Sequence, residues 1–141
     1  MKLPGVAYHG YLPDSELAAL VRGMDFLVYP TSCDNFSLVV ADALASGCHA
    51  TVSDHLRGVW GEEERLGFLE YAPRNPAILA GRMIDAARNL DKYRDPALRR
   101  KQYERMRDNY DWNCVISRLA GEIRKAVEAR APGPPVDQNF C

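Results

Sequence analysis

The sequence lacks several features that would point to whole classes of function. Its net charge is −1 over 141 residues, so it has no excess of one sign with which to attract nucleic acid or an anionic membrane. It has no apolar run near the roughly 20 residues that a membrane-spanning helix needs. It also has no signal-peptide pattern at its N-terminus. We therefore expect a cytoplasmic protein that binds no nucleic acid and has no transmembrane segment.

Cysteine is also scarce. The four residues of this type are Cys33, Cys48, Cys114 and Cys141. They form no C-x-x-C pair and no Cys/His spacing of the kind that binds structural zinc. We therefore expect no metal cofactor, and in the cytosol we expect these thiols to be reduced.

The sequence does contain an alternation of strand-like and helix-like segments. Strands are predicted over Val6–Gly10, Phe26–Pro30 and His49–Ser53, with a short fourth strand at Phe68–Tyr71. Helices are predicted from Asp14 or Ser15, from Ser37 to Ser46, from Pro76, from Pro96 to about Tyr110 and from Asn113. Such alternation is typical of a parallel sheet with right-handed crossovers. The predicted class is α/β, a Rossmann-like parallel sheet with flanking helices and C-terminal helices over residues 1–130, followed by a flexible Pro/Gly tail over 131–141.

The strongest candidate site is an acidic pair, Asp34 and Asp42, eight positions apart across a predicted strand-to-helix turn. A helix start offers unpaired amides and a partial positive charge that suit a phosphate oxygen. Here these would be the amides of Phe36, Ser37 and Leu38. Asp34 can accept hydrogen bonds from sugar hydroxyls, and Asp42 can accept two vicinal hydroxyls such as those of a ribose. Spacing alone leaves an alternative open, in which Asp34 caps the helix and Asp42 is a surface residue.

The residues around this pair resemble the C-terminal, donor-binding domain of GT-B glycosyltransferases, specifically the retaining family 4 group. The resemblance rests mainly on the segment Asp34–Gly47, which is similar to the family pattern E-G-F-G-L-x-x-x-E-A-x-A-x-G. It extends from Val6 to about Val127. Further matching segments are Val6–Tyr11, Met24–Thr31, Val52–Asp54 and Tyr110–Trp112.

The resemblance implies transfer of a sugar from a nucleoside diphosphate donor to an acceptor, with retention and without an essential metal ion. It implies that Asp34 contacts the donor sugar and that Asp42 binds the ribose hydroxyls. It also implies that four residues between them approach the sugar and the phosphate: Asn35, Phe36, Ser37 and Leu38. It assigns no catalytic residue in this chain.

Two departures from the family pattern lower the activity that we expect. Both glutamates of the pattern are aspartates here, which shortens each reach by one methylene in a site that must be held to within about 0.5 Å. Both glycines of the turn are replaced, by Asn35 and Ser37. Asparagine tolerates a left-handed backbone, but serine adds a side chain where the backbone should approach phosphate.

The family's active site lies between two domains and uses an Arg/Lys pair from earlier elements of the donor domain. The resemblance places those elements before Val6, so we expect the chain to be inactive without a missing N-terminal part or a partner chain. A homodimer is a further possibility, because an exposed strand edge favours pairing. Three interpretations stay open: a part of a glycosyltransferase, a split subunit that completes its sheet with a partner, and a non-catalytic interaction or regulatory module.

A few other polar residues have candidate roles. Asp54 follows the strand 49–53, at the edge where open α/β sheets bind their ligands. His55 is therefore the best placed histidine, whereas His9 and His49 are expected to be structural. Trp60 is expected to anchor its glycine-bearing loop, with stacking on a ligand as the alternative.

Overall fold

Three parallel strands form a single sheet in the computed structural model, which describes residues 4–130. They are β1 (Phe26–Tyr29), β2 (His49–Ser53) and β3 (Leu69–Ala72), in the spatial order β1-β2-β3. Phe26 lies opposite His49, and Ala50 lies opposite Leu69. The α/β class and the parallel sheet predicted from the sequence are confirmed. The predicted Pro/Gly tail lies outside the described residues.

Seven α-helices accompany the sheet in the part of the chain that the structure describes. They are α1 (Asp14–Gly23), α2 (Leu38–Ala45), α3 (Gly61–Arg65), α4 (Pro76–Arg88), α5 (Leu90–Tyr93), α6 (Pro96–Tyr110) and α7 (Trp112–Glu128), with a 3-10 turn at Asp54–Leu56. The chain divides into two units, residues 1–104 and residues 105–141. The first unit contains the sheet and the candidate site.

The core of the first unit surrounds the central strand. All five residues of β2 are buried, as expected of a strand in a parallel sheet that is covered on both faces. From α2, Val40 and Leu44 are fully buried, and from the segments that follow β2, Trp60 and Phe68 are fully buried. Burial of such large apolar side chains is worth about 1.5–3 kcal/mol each. The core therefore fixes α2 and the segment after β2 against the sheet.

The strand predicted at Val6–Gly10 does not form, and that prediction is wrong. The segment has no strand structure, and Val6 and Tyr8 are 65 % and 95 % exposed. A strand needs a neighbour to pair its amides and carbonyls, and no described residue supplies one here. The apolar pattern alone did not reveal that this neighbour is absent.

Most of the helices begin at a capping residue that can be identified in the sequence. Asn75 accepts hydrogen bonds from the amides of Ala77 and Ile78 and so begins α4, with Pro76 in its first turn. α6 runs from Pro96 to Tyr110, as predicted. For α1 the expected cap by Asp14 or Ser15 does not occur, because Pro13 occupies the cap position without a side-chain hydrogen bond.

His49, the first residue of β2, is 8 % exposed and forms a cluster with two aromatic rings. Its ring centroid is 5.5 Å from that of Phe26 and 4.6 Å from that of Tyr93. Its Nδ1 atom is buried and has no hydrogen-bond partner among the described residues. Burial, with a smaller effect from the charge of Lys92, lowers the pKa of His49 to about 4. The neutral ring is thus part of the packing between the sheet and α5.

The second unit contains the end of α6 and all of α7. Asp111 accepts a hydrogen bond from the amide of Asn113 at 2.9 Å and caps α7. No described residue of α7 is buried. Its apolar residues recur at helical spacing and are exposed: Trp112, Val115, Ile116, Leu119, Ile123 and Val127.

Candidate functional site

The turn between β1 and α2 is organised by the carboxylate of Asp34. Its Oδ1 atom accepts hydrogen bonds from the amides of Phe36 and Ser37, at 3.2 and 3.0 Å. Its Oδ2 atom accepts one from the hydroxyl of Tyr29 at 2.9 Å. The Tyr29 hydrogen bond, followed by those of Ser37 and Phe36, lowers the pKa of Asp34 below its ordinary value. The carboxylate is therefore held ionised in one orientation at the carboxyl end of β1.

These bonds change what was expected of the helix start. The amides of Phe36 and Ser37 were expected to be open to a ligand, but both donate to Asp34. The capping role that spacing alone had left open for Asp34 belongs to Ser37, the N-cap residue of α2, and Asp34 instead closes the turn before it. The amide of Leu38, the first residue of α2, donates to no partner within residues 4–130. A carboxylate has about four acceptor positions, so Asp34 retains the capacity to accept one further donor.

Ser37 adopts a left-handed backbone, with φ 66° and ψ 90°, and is the only non-glycine residue with positive φ among those described. It is 3 % exposed, and its hydroxyl accepts a hydrogen bond from the amide of Val40 at 3.4 Å. Glycine adopts this conformation without a steric cost, whereas a residue with a Cβ atom does not. The position that is glycine in the family pattern thus keeps a glycine-like backbone here.

Trp60 holds the acidic turn in place through contacts with Phe36. Its side chain is fully buried, and its ring lies 4.8 Å from that of Phe36 between centroids, at an interplanar angle of 36°. Its indole N–H donates to the carbonyl oxygen of Phe36. The structure therefore places Trp60 as the anchor that the sequence predicted, and a fully buried ring has no face free to stack on a ligand.

Asp42 lies on the second turn of α2, and its side chain is exposed. It lines a groove of about 720 Å³ between α1, α2 and the first half of α6. The floor of this groove is largely apolar, and it includes Leu17, Val21 and Ala45. Asp42 makes no ion pair or hydrogen bond through its carboxylate within the described part of the chain. It is thus available to a ligand, whereas Asp34 is already engaged.

A second concavity, which we call the strand-end cavity, lies where the three strands end. It measures about 270 Å³ and is lined by Ser32, Ser53, Asp54, His55, Pro73 and Arg74. Asp54 and His55 were expected at this edge of the sheet. Ser32 and Arg74 were not singled out, although each follows a predicted strand by a few residues, which is the signal that could have identified them.

Within residues 4–130, no three His, Cys, Asp or Glu side chains come together in a way that could hold a metal ion. No helix in that range is long and apolar enough to cross a membrane.

Comparisons with protein-family models, with curated proteins and with solved structures find no match to this chain.

Proposed function

We propose that this chain is the nucleotide-sugar-binding portion of a retaining glycosyltransferase of the GT-B type. The observation that carries the proposal is the position of Asp34 on the turn that follows β1 and of Asp42 on α2, the helix that this turn leads into. Ligands of open α/β sheets bind at this end of the strands. One carboxylate is held ionised on the turn, and the other is exposed one turn into the helix.

The two carboxylates have different roles in this proposal. Asp42 has no partner within residues 4–130 and can accept both hydroxyls of a ribose. Asp34 holds the turn in place and has one acceptor position left for a sugar hydroxyl. The four residues Asn35, Phe36, Ser37 and Leu38 then form the backbone that faces the sugar and the phosphates. Of their amides, those of Phe36 and Ser37 donate to Asp34, whereas those of Asn35 and Leu38 have no competing acceptor within residues 4–130.

In this proposal the chain binds the sugar donor but does not by itself transfer the sugar. The family places its acceptor site on a second domain, so we expect binding of the donor without transfer by residues 1–141 alone. We expect the donor to be a nucleoside diphosphate sugar, bound without a metal ion. The base, the sugar and the acceptor are left open.

The test is a titration in which binding is measured by calorimetry and by amide chemical shifts. UDP, GDP, ADP and their sugar adducts are added in turn, and the expected result is millimolar binding that shifts the amides of residues 36–38. Asp42→Ala is expected to weaken binding about tenfold, the loss of a charge-assisted hydrogen bond at an exposed site. Asp85→Ala, which removes an exposed aspartate from α4, is the matched control and is expected to bind normally.

A second candidate function is a module that completes its sheet with another chain. The observation that favours it is β1, an edge strand whose four residues are all half-buried and whose outer side has no neighbour among the described strands. An unpaired strand edge is a ready site for pairing with another chain. Light scattering that detects only monomer at high concentration would argue against it. No binding of any nucleotide, with Asp42→Ala unchanged, would favour it over donor binding.

A further inference from the structure

The strand-end cavity gathers residues that no part of the proposed function uses. Ser32 comes from the segment after β1, Ser53 and His55 come from the end of β2 and the turn after it, and Arg74 follows β3. Its volume of about 270 Å³ is just below the range of about 300–1,000 Å³ that is typical of pockets for drug-sized ligands. The cavity therefore suits a small group rather than a whole nucleotide sugar.

The charges around the cavity favour an anion. Arg74 lines it and makes no ion pair or hydrogen bond to any residue in the range 4–130. The one carboxylate in the lining, Asp54, forms an ion pair with Arg57 at 3.2 Å, which offsets its negative charge. An exposed, uncommitted guanidinium at the carboxyl ends of parallel strands is thus the dominant charge that a ligand would meet.

The hydrogen-bond donors in the lining differ in whether they already donate to an acceptor within the chain. The hydroxyl of Ser53 donates to the carbonyl oxygen of Tyr29 at 3.3 Å, so its proton is not available to a ligand. The hydroxyl of Ser32 and the ring of His55 make no hydrogen bond within the described part of the chain. These two groups, with Arg74, are the donors left to the cavity.

We propose that the strand-end cavity binds a phosphate group, held by the guanidinium of Arg74 and by hydrogen bonds from Ser32 and His55. The planar fork of a guanidinium matches two phosphate oxygens, which a lysine ammonium cannot do. The phosphate can come from a nucleoside diphosphate or from a phosphorylated sugar, and the cavity recognises the chemistry that they share. This site does not depend on Asp42, so it can be correct even if the donor site is not.

The first experiment uses inorganic phosphate as the probe and the full chain as the protein. Phosphate is titrated while the amide resonances of residues 32, 53–55 and 74 are followed, and saturable shifts confined to these positions are expected. Arg74→Gln is expected to raise the apparent Kd about tenfold, and Arg74→Lys to recover only part of that loss. Arg88→Gln, the same change at an exposed arginine of α4, is the matched control and is expected to leave the Kd unchanged.

The proposal is overturned if Arg74→Gln binds phosphate as the unsubstituted chain does, or if phosphate shifts only the amides of residues 36–38. Ser32→Ala, which changes no charge, provides a second test and is expected to weaken binding by less than Arg74→Gln. Urea unfolding of each variant establishes that it is folded before its Kd is compared.

A second experiment separates the two sources of the phosphate and the two proposals. UDP and glucose 1-phosphate are titrated into the unsubstituted chain, Arg74→Gln and Asp42→Ala. If UDP binds more tightly than phosphate and both substitutions weaken it, the cavity is part of the donor site. A different result would separate the two proposals. If glucose 1-phosphate binds more tightly than phosphate and Arg74→Gln weakens it, while UDP binds no more tightly than phosphate and Asp42→Ala has no effect, the phosphate site is correct and the donor proposal is wrong.

Discussion

The indole N–H of Trp60 donates a hydrogen bond to the carbonyl oxygen of Phe36 at 2.9 Å, across 24 positions of the chain. This bond joins the segment after β2 to the acidic turn after β1, and the tilted rings of the two residues lie in contact at the same place. Since Asp34 accepts from the amides of Phe36 and Ser37, the turn that it organises is fixed to a tryptophan that is distant from it in sequence.

The first prediction concerns this bond. Trp60→Phe keeps a buried ring and removes the N–H donor, so it leaves a cavity and removes the indole hydrogen bond to the carbonyl oxygen of Phe36. We expect it to lower the free energy of unfolding by about 1–3 kcal/mol, measured by urea denaturation. Trp112→Phe, at a position that is 76 % exposed, is the control and should change stability by less than about 0.5 kcal/mol. Equal effects of the two substitutions would show that the Trp60 anchor adds nothing.

The second prediction separates backbone strain from capping at Ser37. Ser37→Gly removes the cost of a left-handed φ of 66°, and loss of a serine cap to glycine costs only a few tenths of a kcal/mol. We expect this variant to be more stable by up to about 1 kcal/mol. Ser37→Ala keeps the strain and loses the hydroxyl that accepts from Val40, so it should be less stable by about 1 kcal/mol. Thermal unfolding that ranks alanine above glycine would contradict this account.

The third prediction concerns the dependence of stability on pH through His49. Burial lowers its pKa to about 4 in the folded chain, from an ordinary value of 6.5. In the unfolded chain the histidine takes up a proton below pH 6.5, while in the folded chain it does not until about pH 4. Its contribution is therefore fully present above pH 6.5 and is lost as the pH falls towards 4, by about 3 kcal/mol in all. We expect His49→Leu to flatten the stability curve between pH 7 and 5, measured by urea denaturation at each pH. A variant with the same slope as the parent would exclude His49 as the cause.

The fourth prediction compares two arginines that bind one carboxylate. Asp25, just before β1, pairs with Arg94 at 2.8 Å and with Arg99 at 2.7 Å. The hydrogen bond from Arg94 is the largest of the effects that together lower the pKa of Asp25 below its ordinary value. Arg99 is more buried, with 27 % of its side chain exposed against 57 %, and it also donates to the carbonyl oxygen of Tyr93.

We therefore expect Arg99→Gln to cost about 2 kcal/mol of stability and Arg94→Gln less than about 1 kcal/mol, because exposed ion pairs contribute little. Because the pKa of Asp25 is lowered on folding, its contribution is present above its ordinary value of 3.8 and is lost as the pH falls through the folded value. Urea denaturation of both variants at neutral pH is the measurement. A larger loss for Arg94→Gln would reverse the proposed order.

Much of the fold could be read from local sequence because local chemistry decides it. The run His49–Ser53 forms a strand over the predicted residues, and Asn75-Pro76 begins α4 as its capping chemistry requires. The segment Val6–Gly10 has an equally strand-like pattern but forms no strand. The difference is that a helix start satisfies its own hydrogen bonds, whereas a strand depends on a neighbour that its own residues do not encode.

The sequence by itself determined the α/β class and the acidic pair, Asp34 and Asp42, because periodicity and spacing are properties of the chain. Only the tertiary structure decided what each carboxylate does. Packing of Trp60 and the hydrogen bond of Tyr29 commit Asp34 to the turn, while Asp42 on the exposed face of α2 remains open. The tertiary structure also decided that Arg74 meets Ser32 and His55, because parallel strands bring their carboxyl ends together however far apart they lie in sequence.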